Sequence, residues 1–154
     1  MVELVTTFNK ELVQRLVALE ADAFGIGGMN EWHLVPLIRH GHVYIIRKNE
    51  DIVGAVQYFL DWDRPKKAYM MGVSIAKEHR GMGIGTKFIQ DTFEALAQEG
   101  IEEVELTVDP ENLTAIKIYE NKLGFVVTDF RKNEYGEGED RLVMKTALAK
   151  KGVC

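Results

Sequence analysis

The sequence predicts an α/β protein of the α+β kind: a mixed, mostly antiparallel sheet of about six or seven strands with about four helices. Three observations carry this. Strand-like runs at residues 42–47, 52–60 and 68–75 follow one another over short links, as in an antiparallel meander. After Ile75 the pattern changes to glycine-rich turn, amphipathic helix and strand, and a helix crossing between strands implies parallel pairing. No internal repeat, low-complexity stretch or Pro/Gly-rich linker divides the chain, so residues 1–154 are expected to form one domain.

The elements follow in order. Residues 2–6 read as a short first strand, and Asn9 can cap a helix with Leu12, Leu16, Leu19 and Ala23 on one face. A loop with three glycines, Gly25, Gly27 and Gly28, separates it from a second helix between Asn30 and Gly41, whose limits Pro36 blurs. The turn at residues 48–51 joins the next two strands, and residues 61–65 lead into the third. A helix over residues 84–99 puts Ile84, Phe88, Ile89, Phe93 and Leu96 on one side and stops at Gly100. Residues 102–108, 125–131 and 141–145 read as strands, with a short helix over residues 113–122.

Composition narrows the function classes. A hydrophobic share of 46% suffices for one core, and no window approaches the ~18 apolar residues of a membrane span. The first five residues lack the basic-then-apolar pattern of an export signal. The single cysteine, Cys154, can close no internal disulfide and offers no metal cluster, which fits a reducing cytoplasm. A formal charge of −5 argues against phosphate-backbone binding and suits a cationic substrate better than an anionic one. The expectations are a cytoplasmic protein with no nucleic acid, membrane or metal partner.

The informative run is Arg80-Gly81-Met82-Gly83-Ile84-Gly85-Thr86, between a strand and an amphipathic helix. Alternating glycines let the backbone turn tightly and leave no side chain in a ligand's way. Their N–H groups and those of the first helical turn can converge on one anion, and the helix dipole favours negative charge there. A phosphate or pyrophosphate is the natural guest. A dinucleotide fingerprint needs a glycine where Thr86 stands, and a P-loop needs Gly-Lys-Ser/Thr, whereas Gly85 precedes Thr86 and Lys87.

Arg80, Gly83 and Gly85 do match Arg/Gln-x-x-Gly-x-Gly/Ala, the pattern of the GNAT superfamily of N-acetyltransferases. Downstream, Asn112, Ala115, Tyr119 and Glu120, then Gly124 and Phe125, resemble that family's Asn-x-x-Ala-x-x-x-Tyr-Glu…Gly-Phe segment. The close resemblance spans roughly residues 68–127. It implies acetyl-CoA as cosubstrate and two neighbouring parallel strands, near residues 68–75 and 102–108, that splay apart around the pantetheine arm. Main-chain groups of Val73 and Ile75 would pair with that arm. The amides of Gly81, Met82, Gly83, Ile84, Gly85 and Thr86 would hold the pyrophosphate, with Asn112 on the cofactor's other side.

Acetyl transfer needs a neutral amine, a polarised carbonyl and a protonated leaving sulfur. A main-chain N–H of the splayed strand can polarise the carbonyl. Tyr119, with an ordinary pKa of ~10, is the expected general acid, in line with the family's tyrosine. For the base, Glu103, Glu105 and Thr107 share one strand face. Ribosomal-protein-alanine acetyltransferases, which the chain resembles in outline, carry a glutamate five residues before the asparagine, where Thr107 stands here. Glu105 is therefore the candidate base, acting through water, beside the plainer reading of a solvated strand glutamate.

His33 beside Trp32 is either a proton relay or a structural histidine. Asp61-Trp62-Asp63 and the acidic stretch from Glu134 to Asp140 either draw an amine by charge and cation–π contact or are solvated turns. Lys145 to Lys151 is a basic tail with no assigned meaning. A small primary amine is the expected acceptor, with a protein N-terminus or lysine as the alternative and a non-catalytic acyl-CoA sensor as a third reading. A homodimer is compatible with the family.

Overall fold

The computed structural model describes residues 2–149. Cys154 and the end of the basic tail lie outside the described residues. Among the described residues seven strands form one sheet in the order β1-β2-β3-β4-β5-β7-β6, with four α-helices and two short 3₁₀ turns in the element order. The strands are β1 (Glu3–Leu4), β2 (His42–Lys48), β3 (Asp51–Leu60), β4 (Lys67–Ile75), β5 (Glu103–Val108), β6 (Val126–Arg131) and β7 (Arg141–Ala147). The helices are α1 (Lys10–Phe24), α2 (Glu31–His40), α3 (Ile84–Gln98) and α4 (Leu113–Leu123). Pairing is antiparallel for β1–β2, β2–β3, β5–β7 and β6–β7, and parallel for β4–β5. No helix among the described residues is long and apolar enough to cross a membrane.

By backbone contacts the chain divides into two compact units, one holding the residues up to Phe59 with Met70–Thr92, the other Leu60–Tyr69 with the residues from Phe93 on. In the first, Asn9 caps α1, its side chain accepting from the Leu12 N–H at 2.9 Å. The buried stripe of α1 is Val13, Leu16, Leu19 and Glu20, shifted from the expected Leu12-to-Ala23 line. With Leu34 and Ile38 of α2, Leu16 and Leu19 join the core built on Val43, Ile45, Ile52, Val53 and Ala55.

Helix α2 runs through Pro36 rather than ending there, and the residue four back is Trp32, on the exposed first turn. Asn30 and His33 form a capping box, in which Nδ1 of His33 accepts from the Asn30 N–H at 3.2 Å. His33 thus has a structural hydrogen bond. Between β2 and β3, Asn49 and Glu50 both take positive φ (51° and 70°), the conformation of a two-residue hairpin turn with the native twist.

One buried polar group in this unit is informative. Glu20, 2% exposed, accepts from the Met29 N–H at 3.1 Å and from Gln57 Nε2 at 3.3 Å. It fastens the loop after α1, where a Cβ on Gly28 would lie 2.7 Å from the Glu20 carbonyl oxygen. Burial pushes the Glu20 carboxyl above its ordinary range, outweighing the two hydrogen bonds that pull it down. A raised native pKa means that the folded chain binds this proton more tightly. The contribution to stability is therefore present below the ordinary glutamate range and is lost as pH rises through the native value. Urea unfolding from about pH 4 to 7 is expected to show the wild-type midpoint falling relative to Glu20→Gln; parallel midpoints would exclude this account.

In the second unit, Val104, Leu106 and Val108 of β5 are buried, as are Val143 and Met144 of β7 and Leu123 and Phe125. Gly124 closes α4 in the left-handed conformation (φ 73°), and its N–H and that of Phe125 both turn back to the Tyr119 carbonyl. This turn is what the Gly-Phe pair supplies: Phe125 is driven inward, with its ring centroid 5.5 Å from that of Tyr119.

Candidate active site

The glycine run belongs to the first unit. β4 finishes at Ile75, and the Ala76 N–H bonds the Val53 carbonyl at 2.8 Å. A short 3₁₀ turn, Lys77–His79, leads to Arg80, and Gly81 and Gly83 follow with φ of 81° and 76°. Only glycine takes such angles without strain. A Cβ at either position would meet no atom within 4 Å, so one side of the loop is open space. Helix α3 begins at Ile84, and the Gly83 carbonyl already accepts from the Lys87 N–H at 3.2 Å. By helix geometry the N–H groups of Ile84, Gly85 and Thr86 have no partner within the helix. A Cβ on Gly85 would sit 3.5 Å from Ile75 Cγ1, so the helix starts close against the strand end. Open space, donors with no partner inside the helix and the positive end of a 15-residue helix fit a pyrophosphate.

Arg80 differs from the free cation that its place in the motif suggests. Its Nε donates to the Ile75 carbonyl at 2.9 Å and its Nη2 pairs with Asp22 Oδ2 of α1 at 3.0 Å. The Ile75 carbonyl is thus engaged. Met82 is exposed, while Val73, Ile75, Ile84, Gly85 and Thr86 are half-buried.

The other sequence candidates belong to the second unit. Asn112 caps α4, its Oδ1 accepting from the Ala115 N–H at 3.2 Å. That bond caps the helix and orients the side-chain amide. Tyr119, seven residues on, has its ring against Phe125, and burial alone pushes its phenol above the ordinary tyrosine value. Among the described residues its hydroxyl makes no hydrogen bond.

Glu105 is not the solvated strand glutamate of the plainer reading. It is 7% exposed, and its Oε1 lies 3.1 Å from Lys67 Nζ and 3.7 Å from Lys145 Nζ. Lys67 is equally buried at 8% and also reaches Asp61 Oδ2 at 3.1 Å. Burial alone would lower the Lys67 pKa, but its hydrogen bonds and charge interactions with Glu105 and Asp61 win and raise it. Asp61 is held well below the usual carboxylate range, chiefly by Lys67 and then by the Asp63 N–H. The Glu105 carboxylate is thus engaged by two ammonium groups.

Beside this cluster Tyr69 Oη and Thr107 Oγ1 share a hydrogen bond of 2.9 Å, and Tyr69 also bonds Tyr135 of the β6–β7 connection. Burial, then the Thr107 bond in the opposite sense and the Tyr135 contact, leave the Tyr69 phenol above its ordinary value. Arg141 stacks over the Tyr135 ring, 5.0 Å from its centroid. The acidic connection is largely spoken for by its own turn. Glu134 pairs with Arg131 at 3.0 Å, Glu139 lies 3.7 Å from Arg141, and Asp140 accepts from the Asn133 N–H. Asp61 likewise accepts from the N–H groups of Asp63 and Arg64, which leaves Trp62, 97% exposed, at the tip of its link.

Sequence reasoning missed three of these partners: Lys67 and Tyr69 beside Glu105 and Thr107, and Asp22 beside Arg80. The signal for two of them is the period of two: Lys67 and Tyr69 alternate on β4 as Glu105 and Thr107 do on β5. What links them is the parallel register, Lys67 with Glu103 and Tyr69 with Glu105, which no local pattern encodes. That ladder covers three residue pairs, while β4 continues to Ile75 and β5 to Val108.

Comparison with known proteins bears on the fold and the family. An N-alpha-acetyltransferase of Sulfurisphaera tokodaii is 27% identical over 115 residues, covering 68% of this chain and 68% of its own. Homo sapiens N-alpha-acetyltransferase 30 is 30% identical over 107 residues, covering 68% of this chain and 29% of its own. The chain thus matches under a third of that relative's length. Arabidopsis thaliana Naa50, solved in complex with the bisubstrate analogue CoA-Ac-MVNAL, has a TM-score of 0.75 at 26% identity, covering 94% of this chain and 97% of its own. The Escherichia coli ribosomal-protein-S18-alanine N-acetyltransferase shares the fold, with a TM-score of 0.79 at 17% identity over 99% of this chain and 97% of its own. The Acetyltransferase (GNAT) family model matches residues 10–125, and the chain belongs to that family.

Proposed function

We propose that this protein transfers the acetyl group of acetyl-CoA to the α-amine of a polypeptide N-terminus. The observation that carries the reading is the open glycine loop at the start of α3, a seat for the cofactor's pyrophosphate. Two lines support the acceptor. Relatives matched over two thirds of the chain are N-alpha-acetyltransferases. The position where a carboxylate base was sought holds Thr107, bonded to the Tyr69 hydroxyl. An α-amine, with a pKa of about 7.7–8.0, is roughly a tenth neutral at pH 7, whereas a lysine-type amine is neutral in well under a thousandth of molecules. A neutral hydroxyl pair suits the first acceptor far better. The small primary amine expected from sequence takes second place for this reason.

Bound acetyl-CoA supplies the activated thioester. In this reading the amides of Gly81 to Thr86 hold its pyrophosphate, main-chain groups of Val73 and Ile75 pair with the pantetheine arm, and Asn112 lies along it. Tyr69 and Thr107 accept hydrogen bonds from the incoming amine or from the water that receives its proton. Tyr119 donates a proton to the departing sulfur. Glu105 serves as the charge partner of Lys67, and the amine's proton leaves to solvent water held by these hydroxyls.

The test is thiol release from acetyl-CoA with short peptides bearing free N-termini, the same peptides Nα-blocked but carrying a lysine, and a set of polyamines and amino sugars. Release with the free N-termini is the expected result. Preference for polyamines would restore the small-amine reading, and silence with all acceptors would remove the enzymatic one.

A further inference from the structure

Part of the cofactor loop faces open space. The open Cβ sides of Gly81 and Gly83 and the exposure of Met82 leave it unsupported from within. Two glycines at positive φ add backbone freedom on either side of Met82. An anion seat works when its donors are already in place, because ordering them on binding reduces affinity. Something outside the loop must hold it.

That support is Arg80, whose two bonds run in different directions. One reaches the Ile75 carbonyl at the end of β4, and the other reaches Asp22, in the last turn of α1. We infer that Asp22 is a positioning residue for acyl-CoA binding: it anchors Arg80 and thereby fixes the path of the chain from Ile75 to the first turn of α3. This inference rests on reading the run from Arg80 to Thr86 as the acyl-CoA seat. The guanidinium's planar fork suits the task, since a lysine at residue 80 would be a single point charge unable to hold both partners in one geometry. Both side chains are about 40% exposed (43% and 44%), so the pair is of moderate strength and is screened by salt.

The experiment is calorimetric titration of acetyl-CoA, with steady-state kinetics, on the wild type, Asp22→Asn, Asp22→Glu, Arg80→Met and the double variant Asp22→Asn/Arg80→Met. Asp22→Asn is expected to weaken acetyl-CoA binding about three- to fivefold at low salt, the scale of a partly exposed ion pair. kcat at saturating acetyl-CoA should stay within about twofold, and Asp22→Glu should recover most of the affinity. In the Arg80→Met background, Asp22→Asn should have no further effect. Unchanged or tighter binding by Asp22→Asn would overturn the inference, because Asp22 would then be idle or would be holding Arg80 back from the ligand. Additive losses in the double variant would overturn it as well. If the wild type itself binds no acetyl-CoA, the failure lies with the reading of the loop as a cofactor seat.

Discussion

Tyr119→Phe is expected to lower kcat by about a hundredfold or more while acetyl-CoA affinity changes less than twofold. The two halves of this result come from different parts of one side chain. The ring packs on Phe125, and phenylalanine keeps that contact. The hydroxyl is the proton donor in the proposed reaction, and among the described residues it bonds no protein group whose loss would disturb the fold. Thermal unfolding should therefore be nearly unchanged. Because burial raises the phenol pKa, the group keeps its proton into alkaline solution. Any fall in kcat caused by its ionisation then lies above the ordinary tyrosine value of ~10. Activity retained by Tyr119→Phe would move the acid role elsewhere, to solvent or to Tyr69.

Lys67→Met is expected to reduce unfolding free energy by about 3 kcal/mol, measured by urea titration. The loss comes from what remains rather than from what is removed. Lys67 is 8% exposed and sits between Glu105 and Asp61, so its deletion removes the ammonium that both carboxylates share, leaving Glu105 the longer Lys145 contact and Asp61 its bonds from the Asp63 and Arg64 N–H groups. The pH dependence has a definite sign. A lysine whose native pKa is raised contributes fully below its unfolded value and loses that contribution as pH rises through the native value. The deficit of Lys67→Met should thus be flat across neutral pH and shrink only in strong alkali. A variant as stable as the wild type would mean that the cluster relaxes into solvent when its lysine is lost.

Much of the fold was legible because local chemistry and tertiary structure agree. Asn9, Asn30 and Gly124 each end a helix by a bond that the residue type announces, and Gly81 and Gly83 take the backbone angles that their spacing suggests. The loop from Arg80 to Thr86 is a local feature and readable as such, whereas the resemblance assigns Asn112 to the cofactor and leaves its capping of α4 unread. The surroundings of Glu105 were not. Strand alternation places Glu105 and Thr107 on one face, but it cannot say that Lys67 and Tyr69 come from the neighbouring strand to meet them. The same limit applies to Arg80, whose partner Asp22 is 58 residues away in sequence. In α1 Leu16 and Leu19 are buried and Leu12 packs against the core as expected, while Val13 and Glu20 are buried where Ala23 was the expected member. The face is set by Glu20, a polar residue that is buried because Gln57 and the Met29 amide bond it.

The burial of Lys67 also separates two adjacent side chains by reactivity. Lys66 is 73% exposed and pairs with Glu102 at the surface, so its amine is open to any acylating reagent. Lys67 is shielded and held in the protonated, non-nucleophilic form by its carboxylates. Under a soluble acylating reagent, modification is expected at Lys66 and not at Lys67 for as long as the chain is folded. Labelling at Lys67 then counts molecules that have opened, which gives this pair of neighbours the character of an internal record of unfolding.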